Sequence, residues 1–217
     1  MRNRKARKLF LSQLSVRDIF LSMAEQVHGT SITILESLDV VTDTKAVGSD
    51  GIVSKAIMKN DTHHVLGVRV ADCVPIIAVD PEARVIGVAH AGWKGTIGGI
   101  SGTLLKSMKK VGAKMDRVLV WVGPHIEKCC YSVSYDRALR FVQAFHGNPT
   151  IASKIGATWH VDIGNANVIQ LTNMGVRPDN IDMLSACTRC QADDFFSYRR
   201  DSKNSFGEML GVVGFRE

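Results

Sequence analysis

The chain has no apolar run approaching the roughly 20 residues that a membrane-spanning helix needs. Its first apolar stretch, residues 9–11, is interrupted at once by Ser12, so it is too short for the apolar segment of a secretory signal. Acidic residues are absent before Asp18, which makes residues 1–14 a basic N-terminal arm. These absences predict a cytoplasmic protein with no membrane partner.

Cysteine is scarce, and its number is odd. Five cysteines in 217 residues cannot all be paired, and a chain of this length needs no disulfides to fold, so a reducing compartment is favoured. Cys187 and Cys190 have CxxC spacing, but a structural zinc site needs a second ligand pair at close spacing, and we expect none in this sequence. We therefore expect Cys187 and Cys190 to be dispensable for metal binding and activity.

The excess of positive charge is confined to the arm. The net charge of +6 comes from 27 basic and 21 acidic residues, and five of the basic residues lie at positions 2–8. The remaining 22 basic residues leave the body of the chain at about +1. A short basic arm is typical of a solvated tail or the start of a helix, so we predict no nucleic-acid partner.

The body of the chain shows no repeat, linker or low-complexity segment, and 45% of its residues are hydrophobic, which predicts a single domain over residues 1–217. After a capping-like Ser15, apolar residues at helical spacing predict a helix over 15–25. Other helices are predicted at 98–112, at 139–147 and through Val168, Leu171 and Met174 up to Gly175, and strands at 31–35, 118–122, 183–186, 195–200 and 209–215. This mixture predicts an α/β (α+β) fold with mixed, partly antiparallel sheets.

Two motifs stand at the centre of the sequence, Val70 to Cys73 and His90 to Gly95. Cys73 closes an alternating apolar and polar run, and His90 closes a continuous apolar run, so each is predicted at a strand end. The turn signal Asp80-Pro81-Glu82 lies between the two runs. If these strands pair, the thiol and the imidazole lie side by side.

His28 could join this pair to form a metal site. Neutral imidazoles and a thiolate are ligands that zinc and copper prefer, and three protein ligands leave one tetrahedral position open, as in catalytic zinc sites. In the alternative, Cys73 is a nucleophile and His90 its base, with Asp72 or another polar neighbour orienting the imidazole. Chelation and alkylation distinguish the two alternatives.

Flat rings and fixed cations occur near the predicted strand ends. Trp93 and Lys94 follow His90, and Arg199 and Arg200 follow an aromatic segment. Arginine binds phosphate or carboxylate through two parallel hydrogen bonds, and an aromatic face can stack on a base. Because neighbouring residues on a strand point to opposite faces, we expect only one of the two arginines to reach any one site.

Several motifs together carry a resemblance to a known family. They are Gln26 to Gly29, Ala71 to Pro75, His90 to Gly95, Gly123-Pro124 with Cys130 to Val133, Cys187-Thr188, and Phe195 to Asp201. With these motifs the chain resembles the laccase-domain family, whose members were labelled multicopper polyphenol oxidases and are now described as purine nucleoside phosphorylases. The resemblance covers about residues 26–201.

The resemblance implies one zinc per chain, with copper as the alternative, bound by His28, Cys73 and His90. It implies phosphorolysis of adenosine, inosine and methylthioadenosine, adenosine deamination as a side activity, and nucleoside and phosphate as partners. The implied fold has α/β/β/α layers, similar to a bacterial toxin deamidase with a catalytic Cys/His pair. The site residues we expect are Cys73, His90, Asp72 and Lys94 for catalysis, and Trp93, Lys94, Arg199 and Arg200 for substrate and phosphate.

The sequence departs from the family pattern at two positions. Glu208 lies where the family usually has an arginine, which predicts weak affinity for phosphate, and His125 replaces a small residue. The chain also lacks the His-x-His pairs with which blue-copper oxidases hold their copper cluster. Any oxidation of phenols is therefore expected to be incidental metal chemistry.

Overall fold

The structure is a computed structural model that describes residues 12, 19–35, 45–55, 58–59, 62–201 and 206–215. The strands are β1 (Ile19–Ala24), β2 (Ile32–Leu35), β3 (Lys45–Ala46), β4 (Gly51–Lys55), β5 (Met58–Lys59), β6 (Thr62–Val70), β7 (Val74–Asp80), β8 (Val85–Ala91), β9 (Leu119–Val122), β10 (Ser132–Val133), β11 (Ala152–Ile155), β12 (Thr158–Val161), β13 (Ile181–Met183) and β14 (Met209–Gly214). The helices are α1 (Trp93–Ile97), α2 (Ile100–Lys110), α3 (Tyr135–Ala144) and α4 (Ile163–Asn173), with a 3-10 turn at Pro178–Asn180. Within these ranges, no helix is both long enough and apolar enough to span a membrane.

The largest sheet has six strands in the order β13-β9-β7-β8-β4-β2. Strand β7 pairs antiparallel with β8 and β9, whereas β2 runs parallel to β4 and β13 runs parallel to β9. Every residue of β8 is buried. Strands covered on both faces are continuous apolar runs in sequence, which is why this part of the sheet was predictable.

Helices cover one face of this sheet. Helix α2 packs against β8, β4 and β2, and α4 packs against α2. The predicted helical spacing of Ile100, Leu104 and Met108 is confirmed, because all three side chains are fully buried against the sheet. The helix ends before Gly112, whose positive φ of 105° favours glycine.

The other face of the six-stranded sheet packs against a second sheet in the order β14-β6-β1-β3, with β5 paired to β6. An apolar cluster that includes Ile52, Leu66 and Val88 fills the space between the two sheets. A small three-stranded sheet, β10-β12-β11, lies against α3. His90 therefore lies on a strand, β8, that is buried on both faces.

The predicted helix over 15–25 is wrong in its described part, because residues 19–24 form strand β1. This strand pairs in parallel with both β6 and β3. Its adjacent residues Leu21 and Ser22 are both buried, so the strand is covered on both faces. Periodicity cannot distinguish a short apolar segment of this kind from a buried helix. Residues 15–18 lie outside the described part of the chain.

The predicted strand over 195–200 is also wrong, because this segment forms turns. The backbone N–H of Asp201 donates to the carbonyl of Ser197, and the Asp201 carboxylate accepts the Ser197 N–H at 3.0 Å. Arg200 donates to the backbone carbonyls of Thr188 and Phe195 at 2.7 and 2.6 Å. These local hydrogen bonds satisfy the backbone without a partner strand.

The described elements confirm the predicted α+β fold with mixed sheets. The helices, the six-stranded sheet and the five-stranded sheet account for three of the four layers that the resemblance implies. The further helical layer, the likeness to a toxin deamidase and the single domain over residues 1–217 stay predictions.

Candidate metal centre and active-site cleft

The side chains of His28, Cys73 and His90 converge at one end of the β7–β8 hairpin. Their ligand atoms, two imidazole nitrogens and the sulfur, all lie within 4.8 Å of one another. The rings of His28 and His90 meet edge to face, with centroids 4.7 Å apart. The sequence prediction that these three residues lie together is thus matched by their positions.

The strand pairing that brings Cys73 to His90 differs from the prediction. Cys73 lies in the turn after β6, and the strand that pairs with β8 is β7, which begins at the next residue. Val74 is opposite Ala91 and Pro75 is opposite His90, so Cys73 lies beside the end of β8. The two side chains meet as predicted, but the strand paired with β8 is β7 and not the run that ends at Cys73.

Asp50 holds two of the three residues in place and was missed by the sequence analysis. Its carboxylate accepts the backbone N–H groups of His28 and Gly29 at 2.8 and 2.6 Å. The same carboxylate lies 3.0 Å from Nδ1 of His90, and Asp50 is fully buried. Because Nδ1 is engaged, His90 presents Nε2 to Cys73 and His28, the arrangement of a carboxylate behind a metal-binding histidine.

The local sequence around Asp50 is typical of a turn and gives no sign of a functional carboxylate. Asp50 lies between Ser49 and Gly51, immediately before strand β4, in a segment of turn-forming residues. A carboxylate that is 0% exposed in such a segment requires partners from elsewhere in the fold. Those partners come from β8 and from the bend at His28, whose φ is 64°, so neither was visible locally.

The protonation of Cys73 and His90 is coupled by their contact. Burial raises the pKa of the Cys73 thiol, but hydrogen bonds with His28 and His90 outweigh it and hold the pKa at about 7. Burial lowers the pKa of His90, whereas hydrogen bonds with Asp50 and Cys73 raise it to about 9. The pair therefore favours a thiolate beside an imidazolium at neutral pH, and a thiolate is the form of cysteine that binds metals.

These residues fit a zinc ion by the chemistry of their donors and by their spacing. Two imidazoles and one thiolate are a donor set of catalytic zinc sites, and the carboxylate of Asp50 supplies the outer partner that orients one imidazole. Gly92 forms the floor of the site. A Cβ at this position would lie 3.1 Å from Cδ2 of His28 and 3.3 Å from Sγ of Cys73.

We expect Gly92→Ala to weaken metal binding without unfolding the protein. The added methyl group pushes against His28 and Cys73, which must move by a few tenths of an ångström, while the φ of −72° at Gly92 suits alanine. Zinc affinity measured by competition with a chelator should fall by about 10-fold or more. Gly102→Ala is the matched control, because its added Cβ would contact only Met174, at an ordinary 3.7 Å. Equal affinity in the two variants would contradict this account of the floor.

Asp72, predicted to take part in catalysis, connects the site to a neighbouring loop. Its carboxylate accepts the Thr188 hydroxyl at 2.7 Å and the backbone N–H of Arg199 at 2.7 Å. Its own φ is 84°, and its carbonyl accepts the N–H of Ile126. Asp50, rather than Asp72, is the carboxylate in contact with His90.

A cleft of about 740 Å³ opens over the three residues. Its walls combine apolar and aromatic side chains with cations and acids, a composition typical of sites for small polar ligands. Besides the converging residues, the lining includes Glu25, Arg69, Trp93, Ile126, Tyr131, Arg137, Ile163, Tyr198, Arg199, Phe206 and Glu208.

The cations of the cleft are only partly those predicted. Arg199 lines it and lies over the ring of Tyr131, with its guanidinium carbon 5.1 Å from the ring centroid. Arg137, which was not predicted, also lines it, and its guanidinium carbon lies 4.4 Å from the ring centroid of Trp93. The predicted Lys94 is exposed on α1 and is not among the lining residues.

Arg200 has a different position from Arg199. Its guanidinium donates to the carbonyls of Thr188 and Phe195 and to the carboxylate of Asp201. As expected, only one of the two neighbouring arginines reaches the cleft, although the segment is a turn and not a strand. Arg200 shapes the loop that carries Arg199.

Glu208 lines the cleft beside Arg69. The two side chains form an ion pair at 3.7 Å, in which each is about a fifth exposed, at 17% and 23%. An acid here opposes an incoming anion, and Arg69 offsets part of that charge.

The fold and the three converging ligands define a class: an α+β protein with a candidate His/Cys/His metal centre beneath an arginine-lined cleft. The multi-copper polyphenol oxidoreductase laccase family matches residues 2–216, and the chain belongs to this family.

Individual relatives agree with this assignment. An adenosine deaminase of an unknown prokaryotic organism is 33% identical over 213 residues, covering 95% of this chain and 80% of the relative. Purine nucleoside phosphorylase YlmD of Geobacillus stearothermophilus is 35% identical over 208 residues, covering 89% of this chain and 71% of the relative. The crystal structure of YlmD from the same organism matches with a TM-score of 0.83 at 30% identity, covering 97% of this chain and 79% of that one.

Proposed function

We propose that this protein is a zinc-dependent purine nucleoside phosphorylase acting on adenosine, inosine and methylthioadenosine, with adenosine deamination as a side activity. The observation that carries the proposal is the convergence of His28, Cys73 and His90 beneath an arginine-lined cleft in a relative of YlmD. The partners are then a purine nucleoside and inorganic phosphate. The relative named adenosine deaminase supports the side activity.

Phosphorolysis makes specific electrostatic demands on the cleft. When phosphate attacks C1′ of the ribose, the bond from C1′ to the purine nitrogen breaks, and the bond from C1′ to a phosphate oxygen forms. The sugar gains positive charge during this step and the departing purine gains negative charge. Fixed charges and hydrogen-bond donors that are complementary to both developing charges lower the barrier.

Bound zinc, held by His28, Cys73 and His90, would supply a Lewis acid at the floor of the cleft, and copper is the alternative ion for the same donors. Asp50 orients His90 and fixes the backbone of His28, so the donors are positioned before any ligand enters. Preorganisation of this kind avoids the cost of rearranging the site during the reaction.

We assign the phosphate to Arg137 and Arg199, which both line the cleft. Arg199 is held by a bond from its guanidinium to the Ser132 carbonyl at 3.0 Å and by its backbone N–H to Asp72. Planar guanidinium groups bind phosphate oxygens in pairs, which favours arginine over lysine here. Trp93 and Tyr198 offer aromatic faces in the same cleft for a purine.

Arg137→Ala should raise the KM for phosphate by about 10- to 100-fold, because charge-assisted hydrogen bonds contribute about 1.5–3 kcal/mol. Arg140→Ala is the matched control, since Arg140 lies on the same helix, one turn further on, and is exposed. Initial rates at varied phosphate concentration measure the effect. Equal phosphate KM values in both variants would remove Arg137 from the anion site.

The experiment that tests the function is a comparison of purine release from inosine with and without millimolar phosphate. A phosphorylase releases base at a rate that depends on phosphate, and weak affinity is expected because Glu208 lies in the cleft. Release that is unchanged when phosphate is omitted would contradict the proposal, as would no release by zinc-loaded protein from any of the three nucleosides.

A second candidate function is a metal-independent cysteine hydrolase. The favouring observation is the order Asp50, His90, Cys73, in which a carboxylate 3.0 Å from Nδ1 orients an imidazole beside a thiol. Such an enzyme keeps its activity after chelation and loses it on alkylation of Cys73. A phosphorylase that needs zinc loses activity on chelation and recovers it when zinc is restored.

A further inference from the structure

Four cysteines meet in a second cluster, away from the His/Cys/His site. Cys129 and Cys130 lie in the turn after β9, and Cys187 and Cys190 lie in the turn after β13. Their four sulfur atoms all lie within 4.8 Å of one another, although the two segments are about 60 residues apart in the chain. The expectation that Cys187 and Cys190 have no second ligand pair is therefore wrong, because the adjacent residues Cys129 and Cys130 form that pair.

The spacing of these sulfur atoms suits a tetrahedral metal site. Four thiolates at a zinc–sulfur distance of about 2.3 Å have sulfur atoms about 3.8 Å apart. In the protein, Sγ of Cys190 lies 3.8 Å from Sγ of Cys129 and 3.3 Å from Sγ of Cys130. All four are free thiols, and a disulfide would use only two of them.

The backbone holds the two cysteine segments together. The N–H groups of Cys190 and Gln191 both donate to the carbonyl of Cys187 at 3.1 Å, which closes the CxxC turn. The N–H of Thr188 donates to the carbonyl of His125 at 3.0 Å, and His125 and Cys187 form a parallel β-bridge. These bonds keep the loop of Cys187 and Cys190 beside the segment that carries Cys129 and Cys130.

We propose that Cys129, Cys130, Cys187 and Cys190 form a structural zinc site, distinct from the His28/Cys73/His90 centre. All four ligands come from the protein, which leaves no open position and indicates a structural rather than a catalytic role. Zinc prefers this thiolate set over oxygen ligands, whereas magnesium and calcium do not bind it.

The site joins two segments that build one wall of the cleft. Tyr131 directly follows Cys130 and lines the cleft. Thr188 directly follows Cys187 and donates to Asp72, whose carboxylate also holds the backbone of Arg199. Zinc at the cluster would therefore fix the wall that carries Tyr131 and Arg199.

Metal content of the full-length protein tests this proposal. Purified wild-type protein is expected to hold two zinc ions per chain, and Cys190→Ser and Cys73→Ser one each. Cys190 is exposed, so its replacement by serine should leave the chain folded. One zinc in the wild type that persists in Cys190→Ser would overturn the proposal, as would a disulfide between Cys190 and Cys129 or Cys130 in protein purified without reductant.

Cobalt(II) substitution gives a second readout that does not depend on activity. Thiolate-to-cobalt charge transfer should report four thiolates from the cluster and one from Cys73. Cys73→Ser should therefore keep about four fifths of this absorbance, whereas Cys190→Ser should lose most of it. The reverse pattern would overturn the proposal. The result is independent of phosphorolysis, because both readouts count ligands and not turnover.

Discussion

Cys73→Ser is expected to lose one zinc ion per chain and to slow nucleoside cleavage by about 1000-fold or more, the size of effect seen when a central electrostatic group is removed from an active site. Cys73 contributes the thiolate of the His/Cys/His set, and serine replaces it with a hydroxyl that stays protonated at neutral pH. Elemental analysis and initial rates with inosine and phosphate measure the two effects together.

Cys190→Ser makes the same sulfur-to-oxygen change in the second cluster and separates the two sites. It is expected to lose the other zinc ion and much less activity, because Cys190 is absent from the residues that line the cleft. Full metal content and full activity in Cys73→Ser would contradict the assigned centre. If Cys73→Ser loses its metal but keeps its activity, the reaction does not use the metal.

Asp50→Asn is expected to lower zinc affinity by about 10- to 100-fold, the range found for outer partners of metal ligands. The carboxylate accepts three hydrogen bonds, from the backbone of His28 and Gly29 and from the His90 ring. Asparagine keeps only one acceptor oxygen, so at least one of these donors loses its partner and His90 loses its charged support. Chelator competition measures the affinity, and thermal unfolding measures the accompanying loss of stability.

Asp80→Asn is the matched control for this variant. Asp80 is also fully buried, and it accepts the backbone N–H groups of Ala83 and Lys114 and pairs with Arg117. It lies at the opposite end of β7 from Cys73. The control should lose stability and keep its zinc affinity. Equal zinc affinity in both variants would show that Asp50 supports the fold alone.

The central sheet could be predicted because its strands are buried on both faces. The apolar run that ends at His90 was enough to place strand β8, but its partner was predicted to be the run that ends at Cys73, whereas the partner is β7. Helix α2 followed from apolar residues at helical spacing. Strand β1 is also buried on both faces, but its short apolar run has no periodicity that distinguishes a strand from a helix, so it was predicted as a helix. Its neighbours, β6 and β3, come from later parts of the chain.

The ligands of the candidate centre could be predicted because cysteine and histidine carry distinctive chemistry. Their support could not, since Asp50 is one of many acids in the sequence and only the folded chain brings it to His90. The same limit applied to Arg137, whose place beside Trp93 depends on how α3 packs. The adjacent pair Cys129-Cys130 faces Cys187 and Cys190 only because parallel segments meet at His125 and Cys187.

Phosphorus NMR of the reaction with inosine tests the central claim most directly. Zinc-loaded protein, inosine and millimolar phosphate are expected to produce a ribose 1-phosphate signal that grows in step with free hypoxanthine, and Cys73→Ser should produce neither. Hypoxanthine that accumulates with free ribose and an unchanged phosphate signal would contradict phosphorolysis and place hydrolysis ahead.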